Sequence, residues 1–423
     1  MRRDRESTHT LRCGLLGLLS IKDTDMRIAT IRQGADAVDR GIHIGGAFSA
    51  LVPLVSLYYS GVMRFDVADP TRPGQDLFVL SKGHAVAALA SIYADLGYFD
   101  PDLLANSRSF ESILNGHPGP LLPGVHISTG PEGHGLPVAQ GFALAGKQAP
   151  AFDVFCLTGD GELQAGMIWE AVQFAGARRL DNLCAIVDKN EGQLDNPRSL
   201  AFPMPGLEER FRSFGWRAVA VDGMGYEGML GALEDFRFKR REGKPLAVIC
   251  NSRKGWGGCS SFMVGHKVEL PEALAQQELE LHRQRRADRV ADFFRTFAGG
   301  LDEERAALRA CAARMNLRID EAARTVQAAR APVATKPAAP RDKRVAYDRG
   351  GLPRLEKGRE YAAAAVVTGA MKEFARGGRV VSVDADLATT SGLEAGVAWA
   401  DMEKAFNVGV AESNMACIGE AFA

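Results

Sequence analysis

The stretch Phe152–Asn190, FDVFCLTGDGELQAGMIWEAVQFAGARRLDNLCAIVDKN, sets the fold class of this chain. It opens with Phe152–Thr158, a short and largely apolar run of strand length, ended by the turn residues Gly159-Asp160-Gly161. Ala165–Ala177 follows, with Ile168, Ala171, Val172 and Ala175 at helical spacing. Asp181-Asn182 then turns the chain into Leu183–Val187, a second buried strand. Strand, helix and strand in this order imply a parallel sheet with a right-handed crossover. Farther on, Arg217–Val221 and Leu246–Cys250 read as strands, with a helix from about Gly228 to Arg241 between them.

Two positions in this stretch carry chemistry. Asp160 and Asn190, thirty positions apart, close consecutive predicted strands at the edge where open α/β sheets bind ligands. Gly-Asp-Gly alone is an ordinary turn. With the crossover and Asn190 it offers a carboxylate and an amide oxygen to one cation. Magnesium suits such a pair, since it takes few protein oxygens and is usually completed by phosphates. Gly161 lets the backbone approach a diphosphate closely.

Together with other spaced blocks, these residues resemble the transketolase family. Gly159–Asp195 is similar to the family's thiamin-diphosphate-binding motif. GIHIGGAFSA with His43, LSKGHAVAALA with His84, NGHPGP with His117 and STGPEGHG at Ser128–Gly135 agree with it in order and spacing. KGWGGCSSFMVGH with His266 resembles the end of the family's first domain. VVSVDADL (Val380–Leu387) and FNVGVAESNM (Phe406–Met415) resemble the opening half of its pyrimidine-binding domain.

The resemblance implies the α/β thiamin-diphosphate-binding fold, a doubly wound parallel sheet flanked by helices, then a helical linker and an incomplete second α/β domain. It implies transfer of a two-carbon ketol unit from a ketose or ketose phosphate to an aldose, with thiamin diphosphate and Mg2+ or Ca2+. The alternatives are another thiamin-dependent activity, of the 2-oxo acid dehydrogenase or deoxyxylulose-phosphate synthase type, or a non-catalytic or truncated subunit that needs a partner chain. Residue by residue, the resemblance makes Asp160, Asn190 and the carbonyl of Gly192 the metal ligands. His84, Gly130, Gly133, Gly161 and Glu162 fall on cofactor contacts, with Asp160 and Asn190. His84 and His117 would reach the diphosphate and the substrate hydroxyls, while His43 and His266 would line the substrate channel. Glu412 falls on the glutamate that hydrogen-bonds N1′ of the aminopyrimidine. In the family, the diphosphate domain of one protomer and the pyrimidine domain of its partner form each site, so a homodimer is implied. The histidines lack close metal-ligand spacing and no Cys-x-x-Cys occurs, which argues against zinc.

Departures from the family pattern are few. Ala165 stands where a glutamate is common, although Glu170 is kept. Glu132 and His134 occupy GPEGHG, where an apolar residue is frequent, and a carboxylate there needs a partner or water. The sequence also stops shortly after the Glu412 motif, which reads as a fragment or a subunit.

Composition sets the bounds. The 423 residues suggest two or three domains at ~150 residues each. With 46% hydrophobic and 24% charged residues the chain reads as globular, and its net charge of −1 leaves no nucleic-acid footprint. Seven scattered cysteines fit a reducing cytoplasm rather than a disulfide framework. Asp4 and Glu6 interrupt the basic start before the short apolar run Cys13–Leu19, so a secretory signal is not expected. No apolar run reaches the ~18 residues that a membrane span requires.

The expected division is a tail at 1–25, with Leu11–Ser20 packing on the body, and a diphosphate- and metal-binding domain at 26–270. A helical segment and linker follow at 271–354, read as solvated helices leaving the domain and then the Pro-containing Ala331–Arg354. The start of a pyrimidine-binding domain occupies 355–423, with a helix at Tyr361–Phe374, strands at Arg379–Val383 and Ala405–Val410, and a helix after Glu412.

Overall fold

The computed structural model describes residues 2–37, 41–148, 150–193, 199–239, 241–265, 267–297, 301–319, 326–333 and 344–423. The chain begins with α1 (Arg2–Asp36), β1 (Gly41–Ile42), α2 (Ile44–Tyr59), β2 (Leu77–Leu80), α3 (Val86–Leu96) and α4 (Gly135–Gly146). The stretch that decides the fold forms β3 (Val154–Gly159), α5 (Gly166–Ala177) and β4 (Leu183–Lys189). Next come α6 (Leu207–Ser213), β5 (Arg217–Asp222), α7 (Glu227–Phe238), β6 (Leu246–Asn251), α8 (Ser260–Val264) and β7 (Val268–Glu269). Two charged helices, α9 (Glu272–Phe297) and α10 (Asp302–Arg314), precede the last unit. That unit contains α11 (Ala363–Ala375), β8 (Ser382–Asp384), α12 (Ala388–Ser391), α13 (Leu393–Ala398), β9 (Ala405–Asn407) and α14 (Glu412–Phe422).

The main sheet is five-stranded and parallel, in the order β2-β3-β4-β6-β5. Its inner strands β3, β4 and β6 are mainly apolar because both faces are covered, as a parallel sheet requires, while the edge strand β5 is largely exposed. Along β3, Phe155 and Leu157 turn to one core while Val154 and Cys156 turn to the other. Helices α1, α2, α3, α7, α9 and α10 contribute to the first core, and α4, α5, α6 and α14 to the second. In the register of β3 and β4, Gly159 lies opposite Asp188, so the two strands end side by side. The small pair β8–β9 is also parallel, and both strands are shorter than their sequence suggested.

Two expectations are corrected by packing. The segment read as a tail at 1–25 is the first part of the 35-residue helix α1; Leu18 and Leu19, in the stretch expected to pack on the body, are fully buried, and burial continues past it at Ile21. Nor do the helices after residue 271 leave the domain: α9 lies along α1. Its charge content hides this docking, because Arg286 of α9 is fully buried and its Nε donates to Asp25 Oδ1 of α1 at 2.7 Å. A guanidinium that is paired inside reads, in sequence, like one in water.

The last unit sits against the first through α14, which lies along α4. Gly141 of α4 permits this approach, since a Cβ there would stand 2.5 Å from the Cβ of Ala421. Gln140 donates through Nε2 to Asn414 Oδ1 at the same seam. At the start of α14, the amide of Asn414 donates to Glu170 Oε2 at 3.1 Å, a carboxylate placed where the helix dipole favours one.

Candidate active site

The carboxyl ends of β3 and β4 open onto a cavity of about 560 Å³ whose walls include Lys82, His84, Gly130, Asp160, Asn190 and Lys254. Gly161, Glu162 and Gly192 border it as well. The crossover therefore does what its length suggested: Asp160 and Asn190, distant in sequence, face one space.

Hydrogen bonds set both side chains. Asp160 accepts from the amide of Gly161 at 2.9 Å through Oδ1 and from the amide of Glu191 at 2.6 Å through Oδ2. Asn190 donates through Nδ2 to Ser49 Oγ at 3.2 Å and to Asp188 Oδ2 at 3.3 Å. Its Oδ1 is thus the atom left to turn the other way, where it takes the amide of Gly192 at 3.0 Å. Behind them Asp188 is fully buried and organises the group. Lys82 Nζ donates to Asp188 Oδ2 at 2.5 Å, and Ser252 Oγ to its Oδ1 at 2.5 Å. Lys82 Nζ also reaches the Gly46 carbonyl at 3.1 Å and Ser49 Oγ at 3.2 Å.

The charges on this wall are not balanced. Burial and the neighbouring Asp188 push the Asp160 carboxyl up to about 6. Burial and the neighbouring Lys82 push the Lys254 ammonium down to about 8. A divalent cation beside Asp160 and an anion between the two lysines would each relieve the strain on its neighbour. The donors around Asp160 are a carboxylate, an amide oxygen and a backbone carbonyl, a hard-oxygen set that suits Mg2+ or Ca2+. Among the described residues, no cluster of three or more His, Cys, Asp and Glu side chains is placed to hold a metal, so a cation here depends on those oxygens.

Glu162 borders the cavity, yet its oxygens are engaged with the protein. Ser81 Oγ and the Gly133 amide donate to Oε1, the latter at 3.0 Å, and the Gly159 amide donates to Oε2 at 3.0 Å. Burial lifts its carboxyl above the ordinary range. It ties the Gly133 loop to the end of β3. Gly133, at φ +89°, has no room for a side chain, since a Cβ would stand 2.7 Å from that of Ala165.

Three histidines gather at the rim. The His43 ring lies 5.8 Å from that of His84 and 6.3 Å from that of His117, centroid to centroid. Burial and Arg108 hold His117 below the ordinary imidazole range, so it is neutral at neutral pH. Glu132 is exposed, so the carboxylate that the sequence left in question is open to solvent. Glu412 is not brought to this cavity: it is exposed, at the first residue of α14. His266 lies outside the described residues.

Residues 26–294 match the family described as transketolase, thiamine diphosphate binding domain. The chain belongs to the transketolase family. It is 37% identical over 269 residues to transketolase of Pongo abelii, covering 62% of this chain and 42% of that protein. To the 6-deoxy-6-sulfo-D-fructose transketolase subunit of Clostridium sp. (strain MSTE9) it is 36% identical over 253 residues, 56% of this chain and 88% of that subunit. An apulose-4-phosphate transketolase subunit of Phocaeicola vulgatus is 34% identical over 224 residues, 53% of this chain and 78% of that subunit. Among solved structures, transketolase of Campylobacter jejuni superposes with a TM-score of 0.71 at 24% identity, over 96% of this chain and 63% of that one. This chain thus spans less than half the length of the animal transketolase that it matches. The transketolase likeness confirms the expected α/β fold, and the family match is to a thiamine diphosphate binding domain.

Lys82, Asp188 and Lys254 were not singled out by sequence reasoning, although Lys82 and Lys254 stand in the SKGHA and KGWGG blocks. The available signal was a lysine beside glycine at the ligand-facing end of a strand. Lys82 follows β2, and Lys254 follows β6.

Proposed function

We propose that this chain holds the diphosphate of thiamin diphosphate and a Mg2+ or Ca2+ ion at the ends of β3 and β4, for ketol transfer from a ketose or its phosphate to an aldose. The observation that carries this reading is the shared cavity of Asp160, Asn190 and Gly192 beside Lys82 and Lys254. Asp160, Asn190 Oδ1 and the Gly192 carbonyl would hold the cation, while Lys254 and His84 would face the diphosphate. Bound there, thiamin diphosphate supplies the carbon nucleophile for cleaving a ketose. This chain's own residues bind and orient. Asp188 fixes Asn190 through its amide nitrogen, Glu162 fixes the Gly133 loop, and a neutral His117 with His43 can exchange hydrogen bonds with substrate hydroxyls. The exposed position of Glu412, away from the cavity of its own chain, supports a role in a second copy's site and hence a homodimer, the pyrimidine N1′ being its partner there.

A second reading has its own support. Two relatives named as subunits are matched over 88% and 78% of their lengths, which favours a chain that works with a partner chain. We place the protein in the cytoplasm on its cysteine content. Turnover of a ketose phosphate with an aldose acceptor, and none with pyruvate, is the result expected from the chain with its partner. Turnover of pyruvate alone would favour the oxo acid or deoxyxylulose-phosphate type of chemistry instead.

A further inference from the structure

A second cavity, of about 730 Å³, lies between α1, α9 and the turn after β6, and it shares no lining residue with the first. Helix α9 lines it with His282, Arg285 and Arg289, at i, i+3 and i+7 on one face. Helix α1 adds Asp23 and Arg27, and Tyr226 before α7 closes a wall. Arg27, His282 and Tyr226 form its buried floor, at 4%, 1% and 8% exposure, while Arg253 and part of Arg289 open to solvent.

The cavity has more positive than negative charge. Four guanidinium groups line it, those of Arg27, Arg253, Arg285 and Arg289, against the carboxylates of Asp23 and Glu227. Asp23 serves two of them, accepting from Arg27 Nε at 2.8 Å and Arg289 at 3.2 Å. Burial opposes its ionisation, yet Arg27 and Arg289 pull its carboxyl down to about 2. Burial, then Arg27 and Arg285, push His282 down to about 3, so at neutral pH its ring is uncharged and carries one N–H. Neither ring nitrogen of His282 makes a hydrogen bond to the described residues, and Glu278 Oε2, itself without a donor, stands 3.9 Å from Nε2. Four guanidinium groups against two carboxylates, with a buried ring that makes no hydrogen bond, suit an anion from outside the chain.

We infer that this cavity binds a small phosphate-bearing dianion, inorganic phosphate or a phosphate monoester, held by Arg285, Arg289 and Arg27 with the His282 ring and the Tyr226 hydroxyl as further donors. Guanidinium forks match phosphate oxygens two at a time, and a lysine does not. Trp256, on the turn that separates the two cavities, lines this one and is 39% exposed, so its emission reports occupancy.

The test titrates inorganic phosphate into the full chain and reads Trp256 emission, with Trp256→Phe as the blank. Saturable binding is expected, about tenfold weaker in Arg285→Gln and several-fold weaker in Tyr226→Phe, which removes a single donor without changing the packing volume. Lys254→Gln, in the other cavity, should leave this affinity unchanged. The inference is overturned if phosphate does not saturate, or if Arg285→Gln binds as the wild type does. It is equally overturned if Lys254→Gln abolishes the signal, which would assign the phosphate to the first cavity, or if succinate binds more tightly than phosphate.

Discussion

Buried charge is used in opposite ways in two regions of this molecule. Where α1 packs on α3 and α9, away from the second cavity, buried charges are paired: Asp25 meets Arg286 of α9, with both side chains fully buried, and Lys22 meets Asp95 of α3 at 2.6 Å. At the ends of β3 and β4, Asp160 has two backbone amides but, among the described residues, no cation in contact, and Lys254 lines the same cavity as Lys82. The seam spends its charges on holding helices together. The strand ends keep theirs partly unmatched, which costs stability without a ligand and marks a place where a ligand's charge is expected.

The largest break in this comparison comes from the seam. Arg286→Ala leaves Asp25 buried without its guanidinium, and denaturant unfolding should register a loss of about 3–5 kcal/mol. At the strand ends the sign reverses. The folded Asp160 carboxyl titrates at about 6 against an ordinary 3.8, so its favourable share of stability is full below about pH 4 and lost as pH rises through 6. Asp160→Asn removes that penalty but turns Nδ2 onto one of the two backbone amides, so the ligand-free protein at pH 7.5 should gain up to about 2 kcal/mol in the same unfolding experiment. A loss of similar size would mean that the two regions are built alike.

A smaller effect sharpens the contrast through pH. Because a cation needs the ionised carboxylate, Mg2+-dependent binding of thiamin diphosphate should weaken roughly fourfold between pH 7.5 and 5.5, as followed by calorimetry. The smallest expected effect lies where the last unit docks. Glu170→Gln removes the charge at the start of α14, worth ~0.3–1 kcal/mol, and amide hydrogen exchange in α14 should quicken a few-fold while the main sheet is unchanged.

The two regions also differ in how far the sequence discloses them. The strand-end site is made by elements that follow one another, β3, α5 and β4, so apolar period and turn residues were enough to bring Asp160 beside Asn190. The lysines and Asp188 that complete it come from the turns after β2 and β6 and the carboxyl end of β4; a glycine beside each lysine was the one local mark, and nothing local sets Asp188 facing inward. The seam is written in pairs such as Asp25 and Arg286, 261 positions apart. Local periodicity says nothing of such pairing, so the first 25 residues read as a tail, α9 as a solvated helix, and the cavity between α1 and α9 had no signature at all. Glu412 was legible as a helix-start carboxylate, and its exposure in its own chain follows from how α14 docks on α4 rather than from any motif.

The most direct test is a calorimetric titration of thiamin diphosphate, with and without Mg2+, into the wild-type chain and Asp160→Ala. The account predicts saturable, metal-dependent binding in the wild type that disappears in the variant while its unfolding transition persists. Equal affinity in the two proteins, or binding indifferent to the metal, would contradict it.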